Sequence, residues 1–265
     1  MIFYFSCTGN TLWAARKVAA ATGDRLVDMA AEMMRVPSGP FAYALSEGES
    51  IGFFFPVHGW RPPVLVREFA GRLRIADADR RYCYAVCTAG DNVGETIDLL
   101  ESDLAAVGLH VQSALSLIMP ESYIGLPFMY LDKPESERRK KLESDRRLAA
   151  FIGDIQNRRS GVRDLTIGRW PKTNSRLLGS VFVKKLVTDR PFRVDSGKCV
   201  GCGKCEKTCP VGDIRLDAGT RRPEWLHNGR CLTCFSCYHH CPVNAIEFGR
   251  RTKGKGQYYY EKNWL

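Results

Sequence analysis

The chain has 265 residues, of which 45% are hydrophobic and 26% are charged, and its formal net charge is +10. This length fits one large or two modest domains, and the hydrophobic fraction excludes an intrinsically disordered chain. The longest apolar stretches, such as Ile51 to Val57, are too short to span a bilayer, which argues against an integral membrane protein. Met1 to Asn10 has no basic segment followed by an apolar one, so we expect no signal peptide and a cytoplasmic protein.

Strand-like and helix-like segments alternate through residues 1–157, which is typical of an α/β domain with a parallel sheet. Strands are predicted over 1–5, 25–29, 51–55, 82–87 and 110–119. Helices are predicted over 11–21, 62–73, 94–107 and 134–156, the second and last with a proline in the first turn, where its missing N–H costs nothing. The sequence therefore predicts a doubly wound, five-stranded parallel sheet in this domain.

The loop from Ser6 to Thr11, with the sequence SCTGNT, joins the first strand directly to the first helix. At this position in an α/β fold, the amides of a helix N terminus can bind a phosphate. Ser6, Thr8 and Thr11 supply hydroxyl groups, Gly9 permits close backbone approach, and Asn10 can donate through its amide. The loop lacks the lysine of a triphosphate loop and the three glycines of a dinucleotide site, so it favours flavin mononucleotide (FMN). An ordinary turn remains the alternative, because turns use the same residue types.

Two further loops follow the third and fourth strands, at the edge where such sheets bind ligands. The SCTGNT loop resembles the S/T-x-T-G-x-T phosphate loop of flavodoxins, and the two further loops fall where flavodoxins hold the flavin ring. The candidate ring-binding residues are Pro56, Val57, His58, Gly59 and Trp60 in the first loop, and Thr88, Ala89, Gly90, Asp91 and Asn92 in the second.

Individual residues of these loops have predicted roles. Trp60 is the candidate for stacking on the ring, and the backbone amides around Gly59 and Gly90 are candidates for hydrogen bonds to its edge. A core or interface position is the alternative for Trp60. His58 is interpreted as a polar loop residue or as a group that holds a proton near the flavin.

Residues 158–190 form a basic connector, because ten Arg or Lys residues between Arg158 and Arg193 are opposed only by Asp164 and Asp189. The charge favours an acidic redox partner protein. Nucleic acid is disfavoured, because no nucleic-acid-binding module accompanies the charge, and peripheral membrane association remains an alternative. A basic amphipathic helix is predicted over 175–187, with five apolar side chains packed on a domain surface: Leu177, Leu178, Val181, Phe182 and Leu186.

Eight of the eleven cysteines lie in two runs of the form C-x2-C-x2-C-x3-C-P, namely CVGCGKCEKTCP at 199–210 and CLTCFSCYHHCP at 231–242. Such runs build bacterial-type [4Fe–4S] clusters, and the fourth cysteine of each run binds the other cluster. Disulfides or zinc sites are the alternatives, but disulfides need an oxidising compartment and zinc sites need no third cysteine at this close spacing. The predicted ligand sets are Cys199, Cys202, Cys205 and Cys241 for one cluster, and Cys231, Cys234, Cys237 and Cys209 for the other.

The remaining cysteines and two histidines need no metal. Cys7 is interpreted as a small loop residue, and Cys83 and Cys87, four apart on one strand, as buried thiols. His239 and His240 lie inside the second run, where the cysteines already complete the ligand sets.

Residues 191–248 contain an internal repeat. A shift of 32 residues superposes the four cysteines and the proline of one run on those of the other, and also Ile214 on Ile246. This pattern predicts a small α+β unit with pseudo-twofold symmetry. Because a unit of this size has little core, we expect cluster ligation to supply much of its stability.

The order of the two domains resembles that of flavodoxin–ferredoxin fusion proteins, also called EFR-type ferredoxins, over nearly all of residues 1–248. Met119 to Ile124, with the sequence MPESYI, is similar to the M-P-E-x-Y-I signature that follows the fifth strand in those proteins. The resemblance implies FMN, two [4Fe–4S] clusters and an electron-transfer role. The basic and aromatic tail, residues 249–265, falls outside it.

Three functions compete on this basis. The leading hypothesis is an electron-transfer flavoprotein that passes electrons between FMN, two [4Fe–4S] clusters and a redox partner. The alternative is an FMN-dependent reductase of a small molecule, fed by its own ferredoxin domain, with His58 and Glu121 as candidate acids. A redox sensor that binds a partner through the basic connector is the third.

Overall fold

A six-stranded parallel sheet forms the centre of the N-terminal half in the computed structural model, which describes residues 1–260. The strand order is β2-β1-β4-β6-β7-β8, and β3 and β5 form a separate parallel pair. The elements of this half are β1 (Ile2–Tyr4), α1 (Asn10–Thr22), β2 (Leu26–Asp28), α2 (Met29–Arg35), β3 (Phe41–Tyr43), β4 (Ile51–Pro56), α3 (Val64–Arg72), β5 (Leu73–Ile75), β6 (Cys83–Ala89), α4 (Thr96–Ala105), β7 (Val111–Ile118), α5 (Pro134–Gln156) and β8 (Arg163–Asp164).

The first five strands of the main sheet, counted along the chain, lie in the order 2-1-3-4-5. This is the order of flavodoxin-like doubly wound sheets, so the predicted fold class is confirmed. The order reverses between β1 and β4. The loops that follow these two strands therefore flank a crevice at the carboxyl edge of the sheet, which is where such folds bind ligands.

Helices cover both faces of this sheet, because alternate side chains of its central strands point to opposite sides. Phe53 and Phe55 of β4 lie in one core with residues of α2, α3 and α4. Phe54 lies in a second core with residues of α1 and α5. All three rings are fully buried, which explains why β4 reads as a continuous apolar run.

The prediction of five strands was one strand short. The added strand, β8, is two residues long, exposed and charged, so it carries no apolar pattern. Backbone pairing forms it: the Gly161 N–H donates to the Gln112 carbonyl and the Ala114 N–H to the Val162 carbonyl, both at 2.8 Å. The sheet therefore extends beyond residue 157, where the sequence places the domain limit.

The connector carries one interrupted helix. A π-helical turn over Thr173–Leu178 continues directly into α6 (Gly179–Lys185). Of the apolar side chains predicted to pack on a domain surface, Phe182 contacts Tyr123 with ring centroids 5.3 Å apart. Three others were predicted wrongly, because they are 47–61% exposed: Leu177, Leu178 and Val181.

The C-terminal unit is a small α+β assembly built from two antiparallel strand pairs, β9–β12 and β10–β11. Phe192, Phe235 and Phe248 form its aromatic core, with ring centroids 4.7–5.4 Å apart. The elements of the unit are β9 (Phe192–Val194), α7 (Lys204–Lys207), β10 (Ile214–Leu216), β11 (Pro223–Trp225), α8 (Ser236–His239) and β12 (Ile246–Phe248).

Within residues 1–260, the structure contains no helix whose length and apolar character would let it cross a membrane.

Candidate functional site

A cavity of about 540 Å³ lies at the carboxyl edge of the main sheet and is walled by the α/β domain, the connector and the C-terminal unit. We call it the inter-domain pocket. Of the fifteen residues predicted to bind a flavin, Gly9 is absent from the lining that the described residues form. The fourteen that line the pocket are Ser6, Thr8, Asn10, Thr11, Pro56, Val57, His58, Gly59, Trp60, Thr88, Ala89, Gly90, Asp91 and Asn92.

The loop after β1 leads directly into the N terminus of α1, which is where such folds bind a phosphate. The Leu12 N–H donates to Ser6 Oγ at 3.2 Å, which leaves the Ser6 O–H able to donate to a ligand. The hydroxyl oxygens of Thr11 and Thr88 are 2.8 Å apart. This contact fixes the loop after β1 against the loop after β6.

The C-terminal tail holds the same loop from the other side. The Asn10 amide donates to the Pro120 carbonyl at 3.1 Å, and its Oδ1 accepts from the Tyr258 hydroxyl at 2.5 Å. Gly9 has φ +94°, and a Cβ there would lie 2.9 Å from the Cβ of Tyr260. Gly9 therefore makes room for the tail, whereas the sequence suggested that it makes room for a ligand.

The loop after β4 presents His58 and Trp60 to the pocket. Burial lowers the pKa of His58 from 6.5 to about 4, so its ring is neutral at pH 7. A neutral imidazole can exchange a hydrogen bond with a ligand but carries no positive charge. Trp60 has φ +58°, which is uncommon outside glycine, and its stacking role stays a prediction.

Glu121 is a pocket residue to which the sequence gave only a minor part. Its Oε1 accepts the backbone N–H groups of Ser122 and Tyr123 at 2.9 and 2.7 Å, and burial raises its pKa. A Cβ on Gly90 would overlap this carboxylate, and Lys140 Nζ donates to the Gly90 carbonyl at 2.9 Å. The MPESYI signature was the only sequence signal for this residue.

The connector helix forms one wall of the pocket. Arg61 Nη1 donates to the Ser175 carbonyl at 2.8 Å and to Ser180 Oγ at 2.9 Å. A Cβ on Gly179 would overlap the carbonyl of Gly59, so the helix lies directly against the loop after β4. The connector residues that line the pocket are Leu178, Val181, Phe182 and Leu186.

Two smaller cavities lie inside the C-terminal unit, and each is lined by three cysteines of one run and the fourth of the other. The first contains Cys199, Cys202, Cys205 and Cys241. The second contains Cys209, Cys231, Cys234 and Cys237. The structure therefore brings the four members of each predicted crossed set together around one cavity. Among residues 1–260, no group of three His, Cys, Asp or Glu side chains is placed to hold a single metal ion.

The two thiol-lined cavities are related by the repeat. The Asp213 N–H donates to Cys209 Sγ, and 32 residues later the Ala245 N–H donates to Cys241 Sγ, both at 3.2 Å. Hydrogen bonds of this kind stabilise charge on sulfur and tune cluster potentials. Burial raises the pKa of Cys205 to about 11. The four thiols that line each cavity are the soft donors that a metal cluster needs, and a bound cluster would take their thiolate forms.

Cys7 lies where the inter-domain pocket meets the second thiol-lined cavity. Its thiol faces that of Cys234, and the interaction between the two thiols holds the pKa of Cys7 well above its usual range and lowers that of Cys234. Ser236 Oγ donates to the Cys7 carbonyl at 3.1 Å. The sequence treated Cys7 as an ordinary loop residue, since nothing along the chain indicates a neighbour 227 positions away.

His239 and His240 bond to backbone carbonyls. His239 Nε2 lies 2.7 Å from the Ser122 carbonyl oxygen, and His240 Nδ1 lies 2.9 Å from that of Ser236. Both rings stand outside the two sets of lining cysteines. The two cysteines of β6 are fully buried in the sheet.

Residues 192–242 match the family model of the 4Fe-4S dicluster domain. No curated protein matches the chain. A protein described as a flavoprotein from Bacteroides uniformis is 18% identical over 44% of this chain and 88% of its own, with a TM-score of 0.33. A similarly described protein from Bacteroides eggerthii is 17% identical over 44% of this chain and 86% of its own, with a TM-score of 0.32.

Rubredoxin oxygen:oxidoreductase from Desulfovibrio gigas is 15% identical over 58% of this chain and 36% of its own, with a TM-score of 0.29. The fold assignment rests on the strand order of the main sheet and not on these distant likenesses. The chain joins a flavodoxin-like α/β fold to a segment that matches 4Fe-4S dicluster domains.

Proposed function

We propose that the protein is an electron-transfer flavoprotein that carries FMN in the inter-domain pocket and two [4Fe–4S] clusters in the C-terminal unit. One observation supports this most strongly: Cys234, a predicted cluster ligand, lines both the pocket and the second thiol-lined cavity. Bound in these places, the flavin and one cluster would be close neighbours. The proposal includes membership of the flavodoxin–ferredoxin fusion family.

The residues that would hold FMN follow from the shape of the pocket. The amides of the first turn of α1, with the hydroxyls of Ser6 and Thr8, would hold the phosphate. The loops after β4 and β6 would hold the ring, with Trp60 beside it. When bound, a flavin accepts or donates one or two electrons, whereas a [4Fe–4S] cluster exchanges one.

The two sets of lining cysteines would hold the clusters in the crossed arrangement. Cys199, Cys202, Cys205 and Cys241 would bind the first cluster, and Cys209, Cys231, Cys234 and Cys237 the second. The backbone amides that donate to the sulfurs of Cys209 and Cys241 would favour the reduced, more negative clusters.

Cofactor content is the first test. The anaerobically reconstituted chain should contain one FMN and about eight irons, as two four-iron clusters require, with flavin and iron–sulfur absorption in one spectrum. A chain that binds iron but no flavin would remove the flavoprotein half of the proposal. A chain that binds about four irons or fewer would remove the two-cluster half.

Paired substitutions test the crossed ligand sets. Cys202→Ser with Cys241→Ser changes one set and should leave about four irons per chain. Cys202→Ser with Cys209→Ser changes both sets and should remove about eight. If instead each run bound its own cluster, the first double variant would lose about eight irons and the second would lose about four.

A reductase of a small molecule is a second candidate, because the buried Glu121 carboxyl faces the pocket with a raised pKa. Such a carboxyl can hold a proton for transfer to a reduced substrate. If the protein turns over a small electron acceptor, Glu121→Gln should lower kcat while FMN content is unchanged. Equal kcat values for wild type and Glu121→Gln would count against this function.

The redox partner is proposed to be an acidic protein. Several connector cations are exposed, including Arg169, Lys172, Lys184 and Lys185, whereas Arg176 is paired with Glu95. Complementary charge accelerates encounter, and salt screens it. The rate of reduction by an acidic ferredoxin should therefore fall with ionic strength and fall further in a Lys184→Glu/Lys185→Glu variant; a rate that is independent of salt would contradict an acidic partner.

A further inference from the structure

Large apolar side chains are exposed at the mouth of the inter-domain pocket. Phe128, from the segment after β7, is 76% exposed, and Leu178 and Val181 of the connector helix are 47% and 51% exposed. All three also line the pocket, so they stand where it opens to the surface. A folded domain seldom leaves several large apolar side chains together in water unless they bind something.

The connector extends this group along the surface. Ile167 and Trp170 are 46% and 61% exposed, and Gly168 between them lies against the pocket: a Cβ there would be 2.7 Å from the side chain of Asn92, which is a lining residue. Leu177, the first of two adjacent leucines on the connector helix, is 61% exposed. We call six side chains the apolar rim: Phe128, Ile167, Trp170, Leu177, Leu178 and Val181.

The apolar rim lies within a basic part of the chain. No Asp or Glu occurs from Leu165 to Thr188. Of the five basic residues in this stretch, Arg176 pairs with Glu95, and the other four are exposed: Arg169, Lys172, Lys184 and Lys185. Among the residues that line the pocket, Asp91 is the exposed carboxylate, so positive charge prevails around the mouth.

The apolar side chains and the cations share one face of the connector helix. Leu177 and Val181 are four residues apart, and Lys184 and Lys185 come seven residues after Leu177 and Leu178, which places them on the same side. Before the helix, the Arg169 guanidinium lies over the Trp170 ring, 5.2 Å from its centroid. An apolar side chain and a positive charge are therefore neighbours at both ends of this surface.

This combination fits the surface of a lipid bilayer. Anionic headgroups attract Lys and Arg, while leucine, phenylalanine and tryptophan side chains enter the boundary between headgroups and acyl chains. Tryptophan is enriched at that depth, because its ring is apolar and its N–H is polar. An acidic protein partner would use the cations through long-range attraction, but this attraction gives the apolar rim no role. A lipid surface uses both.

We propose that the apolar rim and the four exposed cations dock the protein on an anionic lipid surface. The rim side chains enter the headgroup layer and the cations contact the phosphates, so the mouth of the pocket faces the bilayer. This inference goes beyond the proposed function, because the docking surface itself consists only of protein side chains and needs no flavin or cluster.

Sedimentation of the reconstituted full-length chain with lipid vesicles tests the docking. Wild type should bind vesicles of equimolar phosphatidylglycerol and phosphatidylcholine, and bind vesicles of phosphatidylcholine alone at least about tenfold more weakly. Lys184→Gln/Lys185→Gln should weaken binding to the anionic vesicles by about tenfold or more. Binding should also fall with ionic strength, because salt screens the attraction.

A second pair of variants tests the apolar rim without a change of charge. Trp170→Gln/Leu177→Gln alters two side chains that do not line the pocket among the described residues, and should weaken vesicle binding by about tenfold or more. The control is Val64→Gln/Leu142→Gln, which alters two side chains of α3 and α5 that are 51% and 66% exposed and should bind as wild type does. If the rim variant does not fold, as judged by circular dichroism, Leu177→Gln alone should still bind more weakly than Leu142→Gln alone.

Two results would overturn the inference. One is a wild-type chain that does not sediment with the anionic vesicles; salt-dependent reduction by an acidic ferredoxin would then assign the cations to a protein partner. The other is equal vesicle binding by the rim variant and its control, which would mean that charge alone adsorbs the protein. A wild-type chain that binds vesicles but no flavin would contradict the proposed function and leave the docking surface established.

Discussion

At the residue scale, Lys255 shows how one cation holds the backbone beside the pocket. Its Nζ donates to the carbonyls of Ile124, Leu126 and Met129 at 3.2, 2.7 and 2.7 Å, and partial desolvation lowers its pKa. We expect Lys255→Met to lower the free energy of unfolding by about 1.5–3 kcal/mol, because these carbonyls lose a charged donor. Urea denaturation monitored by circular dichroism measures the change, with the exposed Lys253→Met as control. Equal losses in both variants would contradict a specific role for Lys255.

His58 makes stability depend on pH. Its folded-state pKa of about 4 lies below its ordinary value of 6.5, so the unfolded chain takes up a proton more readily than the folded chain. The contribution of the neutral His58 ring to the free energy of unfolding is therefore fully present above pH 6.5. It is lost as the pH falls towards 4, by up to about 1.4 kcal/mol per pH unit.

A neutral variant separates His58 from the other titrating groups. Between pH 7 and pH 5, wild type should lose more unfolding free energy than His58→Asn, which has no proton to take up in this range. The difference is measured by urea titration at each pH. Identical pH profiles for the two proteins would show that the ring is not held neutral.

At the element scale, the sequence predicts the regular, buried pieces and misses those made by local pairing. Helix α5 has the predicted bounds, because Pro134 begins it and its buried apolar side chains, Leu148, Phe151 and Ile155, continue almost to its end at Gln156. Strand β4 was recognised from its apolar run. Strand β8 was missed because its two exposed residues carry no pattern, and α2, β3 and β5 because they are three to seven residues long.

Some residues of the candidate site could likewise be predicted from the sequence, and others could not. The pocket loops could be predicted, because each follows an apolar strand, and parallel strands bring their carboxyl ends to one edge. The walls contributed by Cys7 and the connector could not, and Glu121 was indicated only by its place in the MPESYI segment. The positions of these walls depend on contacts between residues far apart in the chain, such as the hydrogen bond from Ser236 Oγ to the Cys7 carbonyl, and no local periodicity reports such contacts.

The closeness of the connector helix to the loop after β4 gives a prediction for two helical glycines. A Cβ on Gly71 of α3 would meet nothing within 4 Å, whereas one on Gly179 of α6 would overlap the Gly59 carbonyl. Gly71→Ala should raise the free energy of unfolding by about 0.5–1 kcal/mol, through helix propensity alone. Gly179→Ala should lower the free energy of unfolding, although it gains the same helix propensity. It should also weaken FMN binding, because the helix must move away from the pocket. Thermal unfolding and FMN titration of both variants check this, and equal behaviour would contradict the close approach.

At the scale of the whole molecule, the C-terminal tail fastens the two domains together. Gln257 Nε2 donates to the carbonyls of Tyr238 and Cys241 in the cluster unit, at 2.6 and 2.8 Å. The Trp13 and Tyr260 rings stack on the α/β domain with centroids 5.3 Å apart. No family resemblance covered this segment, and residues 261–265 of the predicted tail lie outside the described residues.

Removal of one hydroxyl from the tail should loosen the phosphate loop. Tyr258→Phe leaves the buried Asn10 Oδ1 without its 2.5 Å donor, a loss of about 1–3 kcal/mol. We expect FMN affinity to fall by up to about tenfold, while iron content is unchanged. The control is Tyr259→Phe, which keeps the ring that stacks on His240. Similar FMN affinities for the two variants, measured by fluorescence titration, would argue against a role of the tail in the pocket.

Removal of iron tests how far the domains depend on each other. The C-terminal unit has a small core to which its own cysteines contribute, so chelation should unfold it, whereas the α/β domain keeps two extensive cores and should stay folded. The pocket would then lose the wall formed by Leu232, Thr233 and Cys234. FMN should therefore bind more weakly to the iron-free chain, and trypsin should cleave it first within residues 191–248. Unchanged FMN affinity after full iron removal would mean that the α/β domain holds the flavin without help from the cluster unit.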